Sequence, residues 1–372
     1  MQSVVDLLQA LVQIPSVNPD GDPGVSPGGE EEVAKFVLNF LQPLGFSPVL
    51  EEIEPGRPNL IARAPGPENR PRILLGPHLD TVGVSGMTIA PFSGSIGSGK
   101  VYGRGASDTK GPMAAMLWGL RENAHLLAKL PVAVDFIGFM GEESSQPGSR
   151  NFAKNYAKDY EFAIAGEPTS LEAVYCTKGC LWATVKATGK AMHASKPHLG
   201  ENAILKLLDE IKGLQGPFLE HLFESEHPIL GRSTMNVGII SGGTRANIVA
   251  DQATAQIDVR TVPSLVRDEP ASELLKRHLK NVELLHSTES PPMAMPKDHP
   301  WLLKLQSIDS GLRLTGAPWF SDAAHLSAAG LPSICLGPGS INQAHTADEF
   351  IRIADLEDGA IWFTKMIAGL SS

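Results

Sequence analysis

Cysteine is scarce in this chain: Cys176, Cys180 and Cys335 are the only three among 372 residues. So low and odd a count excludes a disulfide framework, and Cys176 and Cys180 lack the CxxC spacing of a redox motif. No apolar run approaches the ~18 residues that a membrane-crossing helix needs. Positive charge is in deficit, since 31 Lys and Arg against 41 Asp and Glu leave a formal net charge of −10. That balance argues against nucleic acid as a partner and is compatible with a small cationic substrate. The opening MQSVVDLLQALVQIPSV lacks the basic flank and small-residue cleavage site of a secretory signal. Its Val4-Val5, Leu7-Leu8 and Leu11-Val12 doublets suit an amphipathic helix instead. Reduced thiols without an export signal point to the cytoplasm. What remains is ordinary globular composition, 42% hydrophobic and 19% charged, long enough for two or three domains.

The most informative stretch is VAVDFIGFMGEESSQPGS, residues 132–149. Val132, Val134, Phe136 and Ile137 form a β-prone run of the kind found in parallel strands covered on both faces. The run ends at Gly141, and Glu142 and Glu143 follow at once, ahead of turn residues. Carboxylates beyond a strand's carboxyl end face the crevice where open α/β sheets bind ligands. An adjacent pair there is either a solvated acidic turn or shares a cation.

Four further stretches resolve that choice. The strand expected at 72–77 delivers His78 and Asp80, two apart and so on one face, where a carboxylate can orient an imidazole toward a metal. VYGRGASDTKG at 101–111 presents Asp108 in a glycine-rich turn before a helix, with spacing that fits no phosphate loop. EFAIAGEPTS at 161–170 is again an apolar strand ending in a carboxylate, Glu167. LPSICLGPGS is a buried strand followed by His345. Each alone also fits a turn former or a packing residue. Together, His78, Asp108, Glu143, Glu167 and His345 offer two imidazoles and three carboxylates. That set suits two zinc ions sharing a carboxylate, with Glu142 left over as a base.

The pattern changes between these stretches. From about Thr177, alternating strands and amphipathic helices in the order β–α–β–β–α end near 280 with SELLKRHLK, which describes a small antiparallel sheet with helices on one face. The expected organisation is therefore α/β: a catalytic domain with a central, mostly parallel sheet over 1–177 and 288–372. Into it is inserted an α+β domain over 178–287.

HLD at 78–80, GRGASDTKG at 103–111, GEES at 141–144, GEPTS at 166–170 and HAS at 193–195 are similar, in order and spacing along essentially the whole chain, to the M20-type dizinc metallopeptidase and deacylase family. That family includes acetylornithine deacetylases, succinyl-diaminopimelate desuccinylases and carboxypeptidase-G-type enzymes. The resemblance implies one zinc on His78, Asp108 and Glu167 and a second on Asp108, Glu143 and His345, with cobalt or manganese able to substitute. It implies Glu142 as general base, Asp80 as support for His78, and a cis peptide between Asp108 and Thr109. The inserted domain resembles the family's lid and dimerisation domain, and His193 resembles a histidine that reaches a neighbouring subunit's site. Asn247 and Arg260, at the end of the IDVR strand, are the expected binders of a substrate carboxylate. CLGPGSINQAHTADEF at 335–350 looks like the acetylornithine deacetylase version of this region. Thr109-Lys110 and Asn247-Ile248-Val249 depart from the commoner Met-Lys and Asn-Ile-Pro. The expected activity is removal of the acyl group from an N-acyl amino acid, N-acetylornithine first, by a homodimer. Desuccinylase, dipeptidase or carboxypeptidase activity is the near alternative, and a non-catalytic metal-binding relative the remote one.

Overall fold

A computed structural model describes residues 1–20, 29–266 and 269–371. Residues 21–28, which are rich in Pro and Gly, lie outside that range. The chain divides into two compact units, one of Met1–Tyr175, Met295–Thr315 and Ser321–Ser372, the other of Cys176–Ala294 with Gly316–Phe320.

The first unit is built on a mixed sheet. Its strands run Ser47–Glu54, Arg57–Arg63, Ala133–Gly138, Arg72–Pro77, Phe162–Gly166 and Ser333–Cys335 in spatial order, followed by Ala173–Thr177. The centre is parallel, with Arg72–Pro77 between Ala133–Gly138 and Phe162–Gly166, and Ser333–Cys335 parallel to the latter. Antiparallel pairs flank it on both sides. Every residue of the three central strands is buried, which explains why they read as continuous apolar runs. Leu74, Ile137 and Ala163 join Phe139, Phe152 and Leu326 in one cluster, which draws in the helices Pro147–Tyr156 and Asp322–Ala328. Their chain neighbours point to the opposite face. The helix Lys110–Glu122 packs on the sheet and against the helices Val4–Val12 and Ile353–Gly369. Each fully buried Phe or Leu stabilises such a sandwich by about 1.5–3 kcal/mol. The parallel strands all run the same way, so their carboxyl ends gather on one edge, and there the site lies.

The second unit holds a four-stranded antiparallel sheet, ordered Thr234–Gly242, Gln252–Thr261, Gly179–Thr188 and Glu283–Ser290. The helices Ala203–Leu214, Pro217–Phe223 and Ala271–His278 cover one face through Leu207, Phe218, Leu222, Leu274 and Leu275. The expected boundary at 287/288 falls inside the strand Glu283–Ser290, so this unit runs further than the sequence reading placed it. Gly316–Phe320 also belongs to it: Phe320 meets Trp182 edge-on with ring centres 5.7 Å apart.

Candidate metal centre and active site

Five chain segments deliver the site, those of His78, Asp108, Glu142-Glu143, Glu167 and His345. Beyond Pro77 the strand pairing continues for one step, His78 against Phe139, which carries His78 to the edge of the sheet. Its Nδ1 lies 3.0 Å from the main-chain oxygen of Asp80 and 3.3 Å from Asp80 Oδ1. Nδ1–H therefore donates to Asp80, mainly to its main chain, and Nε2 is left facing Asp108 Oδ1 at 3.1 Å. The Asp80 carboxylate has a second task. Its Oδ1 accepts from the Glu142 amide at 3.1 Å, and its Oδ2 from the Glu143 amide at 3.0 Å and Asn18 Nδ2 at 2.7 Å. One buried aspartate thus ties the histidine to the Glu142-Glu143 turn.

That turn starts at Gly141, whose φ of 75° is a conformation only glycine adopts without strain. The Gly141 amide donates to buried Glu30 at 2.8 Å, and Glu30 is itself paired with Arg57. Asp108 is held from behind by Glu349, which sequence reasoning passed over as part of a short acidic segment. Glu349 accepts from Arg104 Nη1 at 2.7 Å and from the amides of Gly105, Ser107 and Asp108 at 3.1, 2.9 and 3.0 Å. The Asp108–Thr109 peptide is cis, as the resemblance implies, and Thr109 Oγ1 donates to the Gly166 carbonyl at the end of the neighbouring strand.

Asp108 stands between two imidazoles. Oδ1 faces His78, while Oδ2 faces His345 Nε2 at 3.5 Å, and His345 Nε2 also lies 3.2 Å from Glu143 Oε2. His78, Asp108 and Glu143 each offer one ligand atom within 4.8 Å of the others. Glu167 and His345, the other two expected ligands, fall outside that group. Glu167 is buried near enough to Asp108, His78 and Glu143 for their charges to act on it. His345 is half in solvent, with a left-handed backbone at φ 63°, a strain characteristic of functional sites.

The electrostatics are those of a cation site. Burial, then the charge of nearby Asp108, pushes the Glu167 carboxyl well above its usual range. Burial does the same to Glu142 despite the attraction of His78. Asp108 goes the other way: its contacts with His345 and His78 outweigh burial and hold it low. His345, between Asp108 and Glu143, is pushed up to about 10. Glu143 Oε1 is buried with no hydrogen-bond partner among the described residues. An orphaned carboxylate oxygen beside an imidazole and a second carboxylate is what a divalent metal of zinc type takes as ligands. The residues therefore fit such an ion.

Glu142 is tethered away from this group, with Oε1 accepting from Gln146 Nε2 at 2.9 Å. Among the described residues Oε2 carries no hydrogen bond. Gln146 and its other partner His325, like Asp322, were not singled out from the sequence. Both oxygens of Asp322 are buried and unbonded among the described residues. Nothing in the order of residue types marks Gln146 with His325, because the two meet across 179 positions.

The remaining expected residues lie in the second unit. His193 is exposed, its Nδ1 2.7 Å from Ser195 Oγ, and its segment bridges to Ile248 while the Ala194 amide donates to Asn247 O at 3.0 Å. Arg260 forks onto Asp258, Nε to Oδ1 and Nη2 to Oδ2 at 2.9 Å each, over the Phe320 ring. Asn247 precedes the strand Gln252–Thr261 and Arg260 nearly ends it, about 27 Å further along an extended chain. Most of the strand Gln252–Thr261 therefore lies between the two residues along the chain.

Residues 74–369 match the model of Peptidase family M20/M25/M40. Among curated proteins, the chain is 30% identical over 371 residues to an acetylornithine deacetylase of Proteus mirabilis, covering 96% of this chain and 94% of that one. Among solved structures, it resembles an M20 family metallo-carboxypeptidase of Sulfolobus solfataricus, with a TM-score of 0.79 and 21% identity over all of both chains. It also resembles a Bacillus subtilis protein described as a dinuclear metal-binding peptidase from the M20 family, with a TM-score of 0.67, 16% identity and 99% and 98% of the two chains covered. The parallel sheet with its ligand-bearing edge, the small antiparallel insertion and these matches agree: the chain belongs to peptidase family M20/M25/M40 and is a hydrolase of amide bonds.

Proposed function

We propose that this amidohydrolase removes the acyl group from an N-acyl amino acid, with N-acetylornithine its foremost substrate. The observation that carries the chemistry is the division of labour between two adjacent glutamates. Glu143 joins His78 and Asp108 in the metal-type group, whereas Glu142 is buried beside it and tethered elsewhere. His78, Asp108 and Glu167 would hold one zinc, and Asp108, Glu143 and His345 the other. When bound, the metal pair supplies Lewis acidity at the acyl carbonyl and acidifies a water. Glu142 accepts the water's proton at Oε2 as the oxygen bonds to the acyl carbon. It then delivers that proton to the departing amine as the carbon–nitrogen bond breaks. Its raised proton affinity supports this shuttling. The Proteus mirabilis relative is a deacetylase, which supports the acyl amino acid. A carboxypeptidase reading is favoured by the name of the Sulfolobus neighbour. Assay of the zinc-loaded enzyme against N-acetylornithine, N-succinyl-diaminopimelate, other N-acyl amino acids and dipeptides separates the two. N-acetylornithine is expected to give the highest kcat/KM, and faster cleavage of dipeptides overturns the deacetylase reading.

The enzyme works as a homodimer joined through its second unit, in the cytoplasm, where its three buried cysteines stay reduced. The edge strand Thr234–Gly242 leaves Ile239 and Ile240 exposed, and the helix Ala203–Leu214 exposes Leu205 and Leu208. An open, apolar sheet edge is a surface for pairing with a second copy. The separation of His193 and Asn247 from Arg260 supports the same arrangement, in which each site takes Arg260 from one protomer and His193 and Asn247 from the other. His193 then donates to the carbonyl oxygen as charge develops there, a contact typically contributing about 3–4 kcal/mol. His193→Ala and Glu142→Gln homodimers should each be nearly inactive. Subunit exchange between them should restore activity, because each mixed dimer contains one complete site. If exchange is verified by mass and activity stays absent, sharing across the dimer is wrong.

A further inference from the structure

The turn between Gly141 and the helix Pro147–Tyr156 encloses a hydrogen-bond chain that serves no metal ligand. At its centre is Gln146, 1% exposed and held in the left-handed region at φ 56° and ψ 43°. A buried non-glycine residue persists there only where its surroundings enforce it. The enforcing contacts are on the main chain: its amide donates to Gly141 O at 2.9 Å, and its carbonyl accepts from the Arg150 amide at 3.1 Å. The side chain is thereby aimed across the site. Nε2 donates to Glu142 Oε1 at 2.9 Å, and Oε1 faces His325 Nε2 at 2.9 Å.

The chemistry gives this chain a direction. An ionised carboxylate only accepts, so the NH2 end of the amide must meet Glu142 and the carbonyl must meet His325. His325 consequently carries a proton on Nε2. It sits on the helix Asp322–Ala328, on the far side of the turn, and burial drives its imidazole down to about 3, so it stays neutral. Reversing the amide would set its carbonyl against the carboxylate, and the His325 N–H opposes that reversal. The consequence falls on Glu142. Its terminal torsion is intrinsically broad and two-fold, and a donor fixed on Oε1 removes that freedom.

We propose that Gln146 is a positioning residue for the general base, tethering Glu142 by Oε1 so that Oε2 alone handles the proton, and that His325 fixes the sense of the Gln146 amide. This rests on the reading of Glu142 as the base. It adds two residues that act through Glu142.

Steady-state kinetics of the zinc-loaded full-length enzyme, with whichever of the N-acyl amino acids or dipeptides it cleaves best, test it. Gln146→Met keeps the volume and removes both hydrogen bonds. It should lower kcat about 10- to 100-fold, the loss of one hydrogen bond to a charged group, with KM and bound metal unchanged. His325→Phe should lower kcat by less, on the order of 10-fold. The double variant should be no slower than Gln146→Met alone, because His325 has no other route to the base. Additive losses, or a wild-type kcat in Gln146→Met, overturn the proposal. Should Gln146→Met prove unfolded by its melting curve, the His325 variants decide. His325→Gln retains an N–H donor and should recover kcat toward wild type, and a wild-type kcat in His325→Phe overturns the role of His325. Failure of the underlying reading looks different. A Glu142→Gln enzyme with wild-type turnover removes the base itself. An inactive Glu142→Gln beside unimpaired Gln146→Met and His325→Phe enzymes removes only the relay.

Discussion

Glu142→Gln is expected to lower kcat by at least about 10²- to 10⁴-fold, the usual contribution of a general base, without loss of metal. Glu143→Ala, one residue on, is expected to lose metal and rate together. The difference follows from where each carboxylate points. Glu143 has Oε2 3.2 Å from His345 and Oε1 buried without a partner among the described residues. Removing it takes away one of three closely grouped ligand atoms. Glu142 is engaged by Gln146 and lies outside that group. A second readout separates the pair. Burial and the charges of Glu167, Asp322 and Glu143 make an ionised Glu142 unfavourable in the metal-free protein. The neutral, isosteric amide therefore should not lower the melting temperature of metal-free protein at pH 7. Metal per chain by elemental analysis, kcat and melting temperature together distinguish base from ligand. If Glu142→Gln loses metal while Glu143→Ala keeps it, the two roles are exchanged.

The parts of the site that were legible in the sequence are those set by local order. His78 and Glu167 follow directly on strands whose residues are all buried, and Glu142 and Glu143 follow a third such strand after Phe139, Met140 and Gly141. A continuous apolar run followed by a ligand-type residue is visible without knowing what lies opposite. Gln146, His325 and Glu349 were not legible for the complementary reason. Gln146 lies in a turn where glutamine is unremarkable, and its partner His325 is brought in by a helix near the other end of the chain. Glu349 supports a turn some 240 positions earlier. The same contrast holds for the fold. The amphipathic helices and central strands announce themselves by period, but Glu283–Ser290 does not. A register shift between Leu284 and His286 breaks its alternation, so the sequence pattern ends the inserted domain inside a strand. Ala173–Thr177 is hidden differently: it is short, wholly buried and adjoins the change of unit.

Asp80 shows why the resemblance alone understates the design. As a support for His78 it would need only to face one ring nitrogen, and its main-chain oxygen is already nearer than its carboxylate. The carboxylate instead receives both amides of the Glu142-Glu143 turn and the Asn18 side chain. Glu142 and Glu143 are thus set in register with the histidine by one buried acid.

Removing metal is expected to abolish turnover and to lower the melting temperature by several degrees. Ligand binding to the folded state alone adds about 4 kcal/mol of stability when the free ligand is a thousandfold above Kd, and the shift in Tm follows from that. Dependence on pH provides an independent check with a defined sign. In the metal-free protein, burial pushes the Glu143 and Glu167 carboxyls up. Asp108 and Glu143 push His345 up to about 10, and Asp108 with Asp80 raises His78 against the effect of burial. These groups bind protons more tightly than usual in the metal-free protein, and a metal competes with those protons. Affinity should therefore rise with pH, about tenfold per pH unit for each proton released. Competition with a chelator at two pH values reads that slope, and calorimetry in buffers of different ionisation enthalpy counts the protons. An affinity that falls as pH rises would mean that these side chains are not the ligands. Full turnover in protein shown by elemental analysis to be free of metal would remove the metal from the reaction altogether.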